Sequence, residues 1–202
     1  MGRARDIANL INSNTFLTPA SASATYLSQT SASSTYALTN SVGLVSILRE
    51  TFTSSSEVVP SISVFTSAYQ NYKILINIDS VSTSTIIRMR LRNGSTNETS
   101  ANYRGSGLRW NSGGAAYSGG NTQTSIAFYN DASNDARYIQ MELRKPYQQD
   151  FKQYHLWSSD NSVNSYENVG QLILSSSYDK FSIIPDAGNI TGSFQIFGYK
   201  EI

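Results

Sequence analysis

Three segments of this chain alternate apolar and polar residues, the first interrupted only at Leu75. Tyr72, Ile74, Ile76 and Ile78 alternate with Lys73, Asn77 and Asp79. Ile87, Met89 and Leu91 alternate with Arg88, Arg90 and Arg92. Ile139, Met141 and Leu143 alternate with Gln140, Glu142 and Arg144. A period of two puts successive side chains on opposite faces of a strand, so each run has one face that must be covered. Shorter runs of the same kind are Ile62–Phe65, Ser125–Tyr129, Lys152–Trp157, Gln171–Leu174, Lys180–Ile184 and Ser193–Tyr199. Turn signals separate them: Asn93-Gly94, Gly188-Asn189, and Asn130-Asp131 with Asn134-Asp135. No convincing helical pattern follows residue 50. The expected fold is all-β, an antiparallel β-sandwich of jelly-roll-like kind over residues 51–202. Ile74, Ile76, Ile87, Met89, Leu91, Ile139, Met141, Leu143, Phe194 and Ile196 are expected to face its core. The longest irregular stretch, Ser106–Thr122, carries Gly113-Gly114 and Gly119-Gly120 and is read as a surface loop.

Residues 1–50 have a different texture. Ile7, Leu10 and Ile11 follow helical spacing. After them Ser-x-Thr-aromatic-aliphatic recurs with a period of ten, at Ser13–Leu17, Ser23–Leu27 and Ser33–Ala37. So short a unit cannot bury its own aromatic, and a partner surface or a symmetry mate can. A plain Ser/Ala/Thr linker is the competing reading. Residues 1–50 are therefore expected to form an extended or helical attachment and stalk segment. Ile7, Leu10, Phe16, Tyr26 and Tyr36 are its contact residues. Residues 41–50 look like a bridge and Thr51–Ser56 like a linker into the sandwich.

Charge and cysteine usage narrow the partners. A formal net charge of +1 over 202 residues gives no bulk attraction to nucleic acid or membrane. The chain has no Cys, hence no disulfide, thiolate metal site or Cys nucleophile. No apolar run approaches the ~20 residues that span a bilayer. The first residues are too polar for a signal peptide, so the chain is expected to be made without one. Asp6 stands where a myristoylation signal wants Ser or Thr.

Candidates for chemistry are few, and no catalytic residue, cofactor or metal is expected. His155 is the only histidine and has no triad or metal partner visible in the sequence. No Gly-x-Ser-x-Gly elbow or Walker loop occurs. Asp131, Ser133, Asp135 and Glu142 imitate a calcium loop, but Ala136 stands where the sharp turn needs glycine. None of the fourteen Asp and Glu residues sits in a glycosidase signature. Arg88, Arg90 and Arg92 share one strand face, as a basic stripe or as cross-strand pairing with residues such as Glu142. Tyr103, Trp110 and Tyr117 lie in or beside the glycine-rich stretch, where exposed rings can stack on sugars or pack the loop down.

Two segments carry a resemblance. Gly2–Ile11, with the Ser-x-Thr-Tyr-Leu repeats behind it, resembles the opening of virion structural and tail-fibre-like proteins of marine tailed phages, cyanophages among them. Phe181–Lys200, with its Gly188-Asn189 turn and closing Phe197-Gly198-Tyr199-Lys200, resembles the last hairpin of phage fibre and capsid-decoration (cement) β-sandwiches. Tyr69–Ile76 resembles an early strand of the same domain, and residues 95–170 match nothing. The resemblance implies a virion protein assembled in the host cytoplasm, without enzymatic activity. It also implies homotrimers that contact other virion proteins. The competing function is a carbohydrate-binding module that recognises host surface glycan.

Overall fold

The computed structural model describes residues 43–111, 114–128, 136–160 and 164–200. The helical pattern of residues 3–12, the ten-residue repeats, and the attachment residues Ile7, Leu10, Phe16, Tyr26 and Tyr36 lie outside the described residues. So does the calcium-like segment Asp131–Asp135.

From Gly43 onward the described residues are all-β, and every strand pairing among them is antiparallel. The strands are β1 (Gly43–Ser55), β2 (Asn71–Val81), β3 (Ile87–Asn93), β4 (Thr96–Asn97), β5 (Tyr103–Asn111), β6 (Gly114–Gln123), β7 (Ile126–Ala127), β8 (Arg137–Arg144), β9 (Lys152–Asp160), β10 (Ser165–Leu172), β11 (Lys180–Pro185) and β12 (Ile190–Lys200). Eight of them form one sheet in the order β1-β12-β2-β8-β9-β10-β5-β6. The other sheet runs β11-β3-β4, with β7 also paired to β3.

Alternation sets which side of each strand is covered. All ten positions expected to face inward are buried. Phe181 on β11 and Phe194 on β12 meet edge to face, with ring centroids 5.7 Å apart, so the two sheets share one core. Each fully buried Ile or Leu of that core is worth about 1.5–3 kcal/mol of transfer free energy. Among the crossings between the sheets, one leaves the large sheet between β2 and β3 and another returns to it between β11 and β12. These two crossings are tied together: Ser82 N–H donates to the Asn189 carbonyl at 2.9 Å, and Asn189 N–H donates to the Ser82 hydroxyl at 2.8 Å.

Three expectations change. The β domain starts at Gly43 rather than residue 51. The supposed bridge and linker are β1, which pairs with β12 from Gly43↔Lys200 to Ser55↔Ile190. β1 is an edge strand with only Phe52 buried, so its sequence has little alternation to read. Ser106–Thr122 is no loop: β5 and β6 form a hairpin there, with Leu108 opposite Tyr117 and Trp110 opposite Ala115. Glycine is scarce in strands, but here a side chain has no room. A Cβ on Gly107 would lie 2.6 Å from the Tyr166 ring, and one on Gly170 would run into the Tyr154 hydroxyl. Ile62–Phe65 is irregular, although Val64 and Phe65 are fully buried. Their N–H groups both donate to the Asp179 carbonyl at 2.9 Å.

Candidate functional site on the outer face of the large sheet

The outward residues of β8, β9, β10, β5 and β6 form rows across the sheet. One row runs Gln140, Trp157, Glu167, Leu108, Tyr117. The row beside it runs Tyr138, Ser159, Ser165, Trp110, Ala115. Trp157 and Tyr138 are exposed and meet edge to face with centroids 6.2 Å apart. Trp110 is 37% exposed and Tyr117 74%, and the Tyr117 hydroxyl donates to Ser106 at 3.1 Å. Four large aromatic side chains thus stand on one face in the region between β8 and β6.

Tyr103 does not join them, which corrects its grouping with Trp110 and Tyr117. It is fully buried on the inward side of β5, and its hydroxyl accepts the Leu91 N–H across the core at 2.9 Å. Burial pushes its phenol well above the usual tyrosine range.

Beside the aromatics lies a groove of about 1160 Å³, whose residues come from β2, β8, β9, β10, β5, the end of β12 and the Lys145–Phe151 turn. Its carboxylates are partnered. Glu142 accepts the Tyr199 hydroxyl at 2.6 Å. Burial, then that carboxylate, pushes the Tyr199 phenol up to about 12. Asp150 binds the Lys145 ammonium at 2.6 Å, which holds its carboxyl below the usual aspartate value. His155, for which the sequence showed no triad or metal partner, projects outward on β9 with Nε2 2.7 Å from Glu167 Oε1. Among the described residues no group of three or more His, Asp or Glu side chains is placed to hold a metal ion.

The basic stripe of β3 lies on the other sheet, and each of its arginines has a partner, although Arg92 Nε is buried without one. Arg88 makes a two-point contact with Asp186 at 2.7 and 2.9 Å. Arg90 donates to the Thr124 carbonyl at 3.2 Å. Arg92 donates to Glu57, to Asn97 and to the Ser95 carbonyl. None of the three pairs with Glu142, which belongs to the large sheet.

Tyr138, Trp157 and the groove are additions to the sequence reading. The alternation of β8 carried the signal for one of them: with Ile139, Met141 and Leu143 inward, Tyr138 must face out. Neither a family model, nor a curated protein, nor a solved structure matches this chain.

Proposed function

We propose that this chain is a non-catalytic structural and adhesive component of a tailed-phage virion, a fibre-like or capsid-decorating appendage whose β domain binds host surface glycan. In this reading the two sheets make a β-sandwich of jelly-roll-like kind, supported by their common core and by the paired crossings β2–β3 and β11–β12. Residues 1–42 attach the protein to its neighbours, and the assembly is a homotrimer. The virion assignment rests on the resemblance at the two ends of the chain.

The adhesive reading is carried by one observation: Tyr138, Trp157, Trp110 and Tyr117 are exposed together on the outer face of the large sheet. Aromatic faces exposed at a rigid sheet are costly to keep in water and suit stacking against the C–H faces of sugar rings. The neighbouring Gln, Ser and His side chains supply donors and acceptors for hydroxyls. Titrating the full-length protein with oligosaccharides while following tryptophan fluorescence tests it. Saturable quenching is expected, and Trp157→Ala and Trp110→Ala together should weaken binding by at least about ten-fold. A protein that binds no glycan in this assay but still assembles into particles would leave the structural role alone.

A further inference from the structure

The groove beside the aromatic face has an uneven electrostatic state. Its Glu142, Asp150 and neighbouring Glu167 carboxylates have partners inside the protein. Two of its guanidiniums do not: among the described residues, the Arg104 and Arg144 side chains make no hydrogen bond or ion pair. Both are exposed on the outer face. Register places them in one row. Arg144 on β8 is opposite Gln153 on β9, Gln153 is opposite Gln171 on β10, and Gln171 is opposite Arg104 on β5. The row therefore reads Arg-Gln-Gln-Arg across four adjacent strands. Its ends are three strand spacings apart, about 14 Å.

A guanidinium is a planar fork that matches a carboxylate at two points. The primary amide of Gln offers both a donor and an acceptor to a hydroxyl. The groove carboxylates are held by Tyr199, Lys145 and His155 and not by Arg104 or Arg144, so both guanidiniums are left to meet an incoming anion. The geometry points to a carboxylated glycan as the ligand: an acidic polysaccharide lies across the strands, its uronate groups held by Arg144 and Arg104 and its hydroxyls by Gln153 and Gln171. This rests on the glycan-binding reading above and adds the charge class of the sugar.

The experiment is a titration of the full-length protein with three probes: an oligogalacturonate, its methyl ester, and polyglutamate. The oligogalacturonate is expected to bind, and the ester about ten-fold or more weaker, because esterification removes the charge the arginines meet. Arg104→Gln with Arg144→Gln should abolish that preference, and raised salt should reduce it. Both side chains are exposed, so an unchanged thermal midpoint confirms that the variant is folded. Equal binding of acid and ester overturns the acidic-ligand inference and leaves glycan binding standing. Polyglutamate binding as tightly, with the same dependence on the arginines, overturns the sugar as ligand. No binding of any probe overturns both readings.

Discussion

The hydroxyl of Tyr103, on β5 of the large sheet, accepts the backbone N–H of Leu91, on β3 of the small one, at 2.9 Å. Both residues are fully buried. A single phenol thus fixes the spacing of the two sheets where β3 would otherwise present an unmatched donor to the core. Tyr103→Phe keeps the ring and removes the acceptor, so the loss reports the orphaned N–H. It is expected to cost about 1–3 kcal/mol, read as a lower denaturant midpoint at unchanged slope.

The amino group of Lys152 should make stability depend on alkaline pH. The side chain is fully buried. It donates to the carbonyls of Gln148 at 2.6 Å and Leu174 at 3.4 Å and to that of Asp150, and it lies 5.5 Å from the centre of the Tyr178 ring. Burial pushes its pKa from the ordinary 10.5 down to about 8. Between those values the unfolded chain holds the proton more often than the folded one. This group's contribution therefore rises with pH from about 8 to 10.5, by on the order of 1 kcal/mol per pH unit. Denaturant melts across that window should show the rise in the wild type and lose it in Lys152→Met.

Acid should act through Asp179. Burial alone would raise its carboxyl, but the Ser63 hydroxyl at 2.7 Å and the Gly94 N–H at 2.8 Å outweigh it and hold the pKa below the ordinary 3.8. A depressed carboxyl contributes stability above its unfolded value that is lost as pH falls through its folded one. Asp179→Asn is expected to flatten the acid limb below about pH 4, measured by the thermal midpoint against pH.

Gly107 tests the glycine-rich hairpin. A methyl group there would meet Cε2 and Cζ of Tyr166 at 2.6 Å. Gly107→Ala should destabilise by about 1–3 kcal/mol. Combined with Tyr166→Leu, which clears the space, its added cost should shrink; full additivity in the double variant would show that the two do not touch.

The domain boundary can be cut directly. A chain starting at Gly43 is expected to unfold at the same denaturant midpoint as the full protein. Starting at Ser56 removes β1 and the buried Phe52, and leaves β12 as an open edge. That chain should lose at least about 3 kcal/mol and tend to self-associate.

What could be read from the sequence follows from how strands display their burial. β2, β3, β8 and β12 are covered mainly on one face, so their buried residues largely alternate and their inward positions were legible. β5 and β10 are covered too, yet their inward positions include Gly105, Gly107, Asn168 and Gly170, because the Tyr154 and Tyr166 rings fill the space above them. On β5 the large apolar groups Leu108 and Trp110 therefore point outward, and parity read from hydrophobicity misleads. Tyr103 was assigned to the glycine-rich loop for the same reason. Of the site, Trp110 and Tyr117 were legible as aromatics beside that stretch. The Arg-Gln-Gln-Arg row was not, since it joins residues from four strands whose register no single segment encodes.

The pairing of Gly43 with Lys200 brings both ends of the β domain to one corner of the large sheet. β6, with Tyr117, is the opposite edge, seven strand spacings away in the order of the sheet. Immobilising the domain through either end would therefore leave the same far edge leading. A sensor chip, a bead or a carrier fusion would present that edge to solution whichever terminus is chosen. A short link from Lys200 to Gly43 would let new ends be opened elsewhere without turning the molecule around.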